Sequence, residues 1–149
     1  MPTHYQDEAD VVNALDAWIK LTRAADSVTS RLHQRNSMGD LTDSQFGVLE
    51  VLRHLGSMPQ CVLASKLLKS SGNITLVIDN LEKRGLVRRA ADAHDRRVSR
   101  VELTTAGAQL IDELFPLHAR AVADEFSVLS QQEQRQLGDL LRKLGKKEG

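Results

Sequence analysis

Cysteine is almost absent, with Cys61 standing alone among 149 residues. A single thiol cannot close an intramolecular disulfide, which fits a reducing compartment. Aromatic residues are nearly as scarce, at one Trp, one Tyr and three Phe, so a core here must be built from Leu, Val, Ile and Ala. No apolar run approaches the ~20 residues that span a bilayer, and no segment resembles a signal peptide. The expectation is a soluble, cytoplasmic protein of one compact domain or one subunit of an intertwined oligomer. Internal repeats and low-complexity tracts are missing as well. The chain has no glycine-rich phosphate loop, nucleophile elbow, paired-carboxylate context or His-Glu-x-x-His motif, and His4, His33, His54, His94 and His118 are scattered. Those absences argue against an enzyme, a cofactor and a metal centre. His94 between Asp92 and Asp95 would suit a cation, but a polar turn explains all three.

Net charge is also lacking, since 20 Lys and Arg balance 20 Asp and Glu. The balance is not uniform. Between Lys83 and Arg100 stand Lys83, Arg84, Arg88, Arg89, Arg96, Arg97 and Arg100 against Asp92 and Asp95, a local net of +5 that leaves −5 for the remainder. A basic element on a neutral chain is a candidate phosphate-facing surface, because its cations would release counterions condensed on a nucleic-acid backbone.

The stretch from Ser70 to Thr104 organises the rest. Ile74, Val77, Ile78 and Leu81 recur at helical spacing and predict a helix over Ser71 to Arg84 with one stripe inward. Asn73, Thr75, Leu76, Asp79, Asn80 and Lys83 then form an outward polar edge. Gly85 ends the helix, being able to take positive φ, and Arg84 complements the helix dipole. The period next changes to that of strands: Leu86 and Val87 open an apolar run, Ala90 to Asp95 is a polar connection, and Arg100 to Leu103 alternates. The pattern predicts a two-stranded hairpin beside a helix.

Upstream, a long helix is predicted from about Asp7 to Arg35, with Val12, Leu15 and Ile19 on one stripe that Val11 and Trp18 widen. Such width has more to cover than one subunit offers, so part of it is assigned to a partner chain, with a wide intrachain core as the alternative. Gly39 breaks the pattern near Asn36 to Asp40. Thr42 and Gln45 form a capping box, and Leu41 with Phe46 a hydrophobic staple, so a central core helix starts there. Gly56, Ser57 and Pro59 end it. Gln60 to Leu68 is a short helix with Leu63, Ala64 and Leu67 inward, and its tight junction to the next helix is a helix-turn-helix arrangement. Downstream, Thr104 caps a helix to about Phe126 in which Pro116 predicts a kink rather than a stop. Ser130 and Glu133 form a second capping box ahead of Leu137, Leu140, Leu141 and Leu144, a leucine-faced strip.

These residues carry a resemblance. A helix opening on Ser-Gly-Asn-Ile-Thr and closing on LEKRGLVRR, with a hairpin matching Asp-x-x-Asp-Arg-Arg and Val-x-Leu-Thr-x-x-Gly at Asp92, Asp95, Arg96, Arg97, Val101, Leu103, Thr104 and Gly107, resembles the winged helix-turn-helix of MarR-type transcriptional regulators. The resemblance implies a mainly α fold, with a winged helix-turn-helix, a two-stranded β-hairpin wing and long flanking dimerisation helices. It implies an N-terminal dimerisation helix over 1–35, a DNA-binding lobe over 41–104 and C-terminal dimerisation helices over 105–149. It further implies a homodimer on double-stranded DNA at a pseudo-palindromic operator, with half-site centres roughly 10 bp apart or a multiple of that.

Ser71, Asn73, Thr75, Leu76 and Asn80 would then face the major groove, where Asn and Thr bond base edges and Leu76 meets a thymine methyl. Many members carry a basic residue where this chain has Leu76 and Asn80, so the operator sequence does not carry over. By resemblance Arg97 enters the minor groove with Asp95 holding its guanidinium, while Arg88, Arg89, Arg96 and Arg100 contact phosphates. Such regulators, often repressors, commonly take a small phenolic or aromatic effector between the dimerisation helices and the DNA-binding lobe. Trp18, Thr22, Phe46, Val51 and His54 are candidates by position, with core packing as the alternative for each. Cys61 is a candidate redox sensor, although the first-helix cysteine of peroxide-sensing members is missing here. The rival functional reading is a winged-helix interaction module that dimerises or binds protein without reading DNA.

Overall fold

A computed structural model describes residues 2–67 and 71–146. In chain order the elements are α1 (Ala9–Arg35), α2 (Asp43–Leu55), β1 (Met58–Pro59), α3 (Gln60–Lys66), α4 (Ser71–Lys83), β2 (Val87–Ala91), β3 (Ser99–Leu103), α5 (Thr105–Phe126) and α6 (Gln131–Gly145). They form two compact units, one of Met1–Arg35 with Arg120–Gly149 and one of Asn36–Ala119, so the boundary falls inside α5. The Leu68 end expected for α3 lies outside the described residues.

Local chemistry sets the boundaries of the Asn36–Ala119 unit. At the start of α2 the Thr42 hydroxyl accepts from the Gln45 N–H at 3.1 Å while the Gln45 side chain accepts from the Thr42 N–H at 3.0 Å, the reciprocal capping box. At the end of α4, Gly85 has φ +74°. Its N–H reaches the Glu82 carbonyl at 2.9 Å and the Leu86 N–H reaches the Leu81 carbonyl at 3.0 Å, the paired bonds of a Schellman stop. Helix α5 continues through Pro116.

The core of this unit draws on every element around the sheet. Val48, Leu49, Leu63, Ile74, Ile78, Leu81, Val87, Val101 and Ile111 are essentially inaccessible. The predicted inward stripe of α4 is thus the buried one, with Val77 packed at its margin. Phe46 is 2% exposed and stacks on Phe115, at 6.5 Å between centroids, and against the His118 ring at 4.7 Å.

The wing adds to the sequence reading in one respect. The predicted two-stranded hairpin is present as β2 and β3, and among the described residues a short third strand joins it in the antiparallel order β1-β3-β2. Strand β1 pairs Met58 with Val101 and Pro59 with Arg100. Two residues carry no readable alternation, and Pro59, which has no N–H to donate, is tolerated because β1 is an edge.

Arg53 ties α2 to α5 by a two-pronged pair with Asp112, Nε to Oδ1 at 2.7 Å and Nη2 to Oδ2 at 2.9 Å. The hydrogen bond from Arg53 holds the Asp112 carboxyl below its ordinary value of 3.8, with the guanidinium charge adding to it. A carboxylate whose pKa falls on folding contributes stability that is complete above its unfolded pKa and is lost as pH drops through the folded one. Asp112→Asn is therefore expected to lower the urea midpoint at pH 7, with the gap to wild type narrowing progressively as the pH falls below 3.8. A gap that persisted undiminished into acid would show that the charge is not the cause.

The other unit has a different character. No residue of α1 or α6 is fully buried. Arg31 and Arg35 of α1 both pair with Glu125, and Arg35 also reaches Asp124 at 3.2 Å. The Ser130–Glu133 capping box opens α6, with bonds of 2.9 and 3.1 Å. Trp18, Val128, Leu140 and Leu144 stand 61%, 86%, 65% and 60% exposed. No helix among the described residues is long and apolar enough to cross a membrane.

Candidate nucleic-acid interface

Helices α3 and α4 pack against each other through Leu63, Ala64, Ile74 and Ile78, all buried. That leaves the opposite edge of α4 to solvent: Asn73, Thr75 and Asn80 are exposed, and Leu76 is 61% exposed despite being apolar. The Ser71 side chain lies outside the described residues. An accessible edge of Asn, Thr and Leu offers donors, acceptors and a methyl-sized apolar contact, the set by which base edges in a major groove are distinguished.

The wing tip is built by one carboxylate. Asp92 Oδ2 accepts from the N–H groups of His94 at 3.0 Å and Asp95 at 3.1 Å, and Oδ1 accepts from Arg100 Nη1 at 3.2 Å. These bonds, the His94 N–H first and Arg100 after it, hold the Asp92 pKa below its ordinary value. The turn so formed aims Asp95 at Arg97, whose N–H and Nε donate to Asp95 Oδ1 at 3.0 and 3.2 Å. Arg97 nevertheless keeps 92% of its side chain in solvent. A cation that exposed, with one face of its fork held by a neighbouring carboxylate, is presented rather than packed. Arg96 beside it is exposed, and no carboxylate among the described residues pairs with it.

The other wing arginines, expected at phosphates, each have a carboxylate partner within the fold. Arg88 Nε lies 2.8 Å from Glu102 across the strand pair. Arg100 pairs with Asp92 and donates to the Ser57 carbonyl at 2.8 Å, linking the wing to the start of β1. Arg89 is the most engaged, with Asp79 at 2.7 Å, Glu82 and Gln60 as side-chain partners and only 23% of its own side chain exposed. Arg84 pairs with Asp40 at 3.0 Å. Much of the basic run is thus neutralised within the fold, while Arg96, Lys83 and the Asp95-held Arg97 are exposed among the described residues.

Gln60 and Glu82 are participants that sequence reasoning did not single out, and Asp79, expected on the outward polar edge, is turned to Arg89 instead. Their only sequence signal is the spacing of Thr75, Asp79 and Glu82 along one helix stripe, and nothing in the sequence says which strand residue meets it. Cys61 is exposed on α3, in an open cleft it shares with Thr75, Asp79, Arg89 and Arg97.

The effector candidates fall in both units. Trp18 and Thr22 lie on α1, where the Thr22 hydroxyl donates back to the Trp18 and Ile19 carbonyls, both at 3.1 Å. Phe46, Val51 and His54 lie on α2: Phe46 belongs to the core, Val51 packs against it, and the His54 ring meets the Phe115 edge at 4.7 Å. Among the described residues, no three His, Cys, Asp or Glu side chains converge as metal ligands.

The helix-turn-helix with its wing has known counterparts. Residues 41–99 match the model of the MarR family. The HTH-type transcriptional regulator MhqR of Bacillus subtilis is 35% identical over 132 residues, covering 89% of this chain and 91% of that protein. In structure, a mutant MarR from E. coli complexed with operator DNA superposes with a TM-score of 0.77 at 26% identity, covering 93% of this chain and 99% of the other. BpsR of Bordetella bronchiseptica, whose DNA binding is regulated by 6-hydroxynicotinic acid, gives a TM-score of 0.81 at 26% identity over 99% and 100% of the two chains. With a relative this similar along nearly its whole length, and with the wing and α4 built as described, the chain belongs to the MarR family of transcriptional regulators.

Proposed function

We propose that this chain is a homodimeric, sequence-specific DNA-binding regulator, a cytoplasmic repressor of nearby genes that a small aromatic or phenolic effector relieves. The observation that carries the reading is the pairing of an exposed Asn, Thr and Leu edge on α4 with a solvent-presented Arg97 on the wing. Operator DNA on E. coli MarR and a hydroxylated aromatic acid acting on BpsR support the choice of both partners. The α4 edge reads bases in the major groove, Arg97 enters the minor groove, and Arg96 and Lys83 face phosphates. Trp18 and the α6 leucines form the subunit interface. A repressor acts here by occupying its site, and an effector relieves it by favouring a conformation with lower DNA affinity. His54 and Val51 at the margin of the Phe46 cluster are the lobe's contacts for such an effector, and Cys61 is its one site for oxidant control.

The pairing of Arg88, Arg89 and Arg100 within the fold favours the rival, an interaction module that does not read DNA. Selection of bound sequences from a random duplex pool separates the two. Wild type is expected to enrich a pseudo-palindrome, and Arg97→Ala to bind it ~10-fold or more weakly, since one base-reading arginine is worth about 1–3 kcal/mol. Affinity should fall by roughly 10³ between 50 and 200 mM salt if about six phosphates are neutralised per dimer. No enrichment from an intact dimer would leave the interaction module as the answer.

A further inference from the structure

The most engaged side chain on the DNA-facing side is one that the proposed function does not use. Arg89 extends from β2 and donates from every nitrogen of its fork: Nε to Gln60 Oε1 at 3.1 Å, Nη1 to Glu82 Oε1 at 3.0 Å, and Nη2 both to Asp79 Oδ1 at 2.7 Å and to the Thr75 carbonyl at 3.3 Å. Its own backbone N–H, on the open edge of β2, donates to Glu82 Oε2 at 3.0 Å. Gln60, whose oxygen is fixed by Arg89, turns its amide nitrogen to the Thr75 hydroxyl at 2.9 Å. One guanidinium thereby joins α3, α4 and the wing.

The α4 partners are Thr75, Asp79 and Glu82, spaced four and three residues apart on a single helix stripe. Leu76, Asn80 and Lys83, each one residue further on, form the adjacent stripe, about 100° around the axis at 3.6 residues per turn. Fixing the first stripe against β2 therefore fixes the second. A rotation of α4 by ~20° would carry a side-chain tip, roughly 6 Å from the axis, through about 2 Å. That exceeds the ~0.5 Å range over which a hydrogen bond keeps good geometry.

We propose that Arg89 is a positioning residue for base reading: its fork clamps α4 at one rotation against the wing and does not contact phosphate. This rests on the DNA-binding reading above. Lysine cannot substitute, because its point charge lacks the planar fork that bridges four acceptors on two helices.

The test compares wild type, Arg89→Lys and Arg89→Gln on the selected operator and on a random duplex of equal length, across a salt series. Expected for Arg89→Lys is a ratio of specific to non-specific affinity at least ~10-fold lower, with non-specific affinity and salt slope unchanged. Asp79→Asn and Glu82→Gln, at half-exposed positions, should lower the same ratio and provide the readout if the Arg89 variants fold poorly. A phosphate contact predicts the opposite pattern: Arg89→Lys near wild type, and Arg89→Gln weakening both duplexes with a slope lower by about 1.8 per dimer. That pattern overturns the assignment. So does a lower melting temperature with an unchanged ratio, which is what a merely structural tie would give. If wild type itself prefers no sequence, the DNA-binding reading fails first and the assignment falls with it.

Discussion

Gly107→Ala is expected to lower the thermal midpoint by roughly 6–12 °C, for about 3 kcal/mol of lost stability in a chain of this size. A Cβ at Gly107 would stand 2.0 Å from the Leu86 carbonyl oxygen and 3.0 Å from its carbon. Both are backbone atoms, so no rotamer change relieves the overlap. The Leu86 carbonyl also accepts from the Thr104 N–H at 3.1 Å, and the Thr104 hydroxyl donates to the Gly85 carbonyl at 2.6 Å while accepting from the Gly107 N–H. Gly107 thus sits where the end of α4, the start of β2 and the first turn of α5 meet. Pushing Leu86 away disturbs the Schellman stop and the strand that carries Arg89, so sequence-specific binding should suffer along with stability. Gly138→Ala is the contrasting control. Nothing lies within 4 Å of its added Cβ, and within a helix alanine is favoured by up to about 1 kcal/mol. Thermal unfolding of both variants gives the comparison, and an alanine variant at Gly107 melting within 2 °C of wild type would refute the close approach.

The Gly107 contact illustrates what the sequence could convey. Its place in a Val-x-Leu-Thr-x-x-Gly pattern was readable, whereas the carbonyl it must clear belongs to Leu86, across the hairpin. Features set within a few residues were legible: the Thr42–Gln45 and Ser130–Glu133 boxes, the Gly85 stop, and the buried stripe of Ile74, Ile78 and Leu81. Features that need a distant partner were not. Strand β1 exists only because Met58 and Pro59 meet Val101 and Arg100, some forty residues on. The count of cations between Lys83 and Arg100 was correct as composition, but it could not say that Glu102, Asp79, Glu82 and Asp40 would neutralise several of them. A charge run reports potential partners of either kind, and only the fold decides between carboxylate and phosphate.

Exposed apolar residues on α1 and α6 lead to the second large effect. Leu140→Glu with Leu144→Glu is expected to convert the protein to a monomer at micromolar concentration and to weaken operator binding by at least ~100-fold. Leu140 and Leu144 are 65% and 60% exposed in the single chain, and Leu141 39%. Burying a leucine contributes about 1.5–3 kcal/mol, so the four side chains of a dimer represent roughly 6–12 kcal/mol of association. A glutamate at each position replaces that gain with buried like charge. Because the single-chain surface already exposes these side chains, the variant's helical circular dichroism should persist if the subunit folds alone, and should fall only if folding and association are one event. Sedimentation gives the oligomeric state directly. Trp18 supplies an independent signal, since it is the chain's one tryptophan and is 61% exposed on α1. If the α1 and α6 faces form the interface, wild-type emission shifts to the red on dilution through the dimer dissociation constant, while the double variant is red-shifted at every concentration. A double variant that still sediments as a dimer and binds operator normally would move the interface elsewhere. The leucine strip would then be a surface awaiting some other partner, and the two half-sites of the operator would have to be spaced by a different pair of helices.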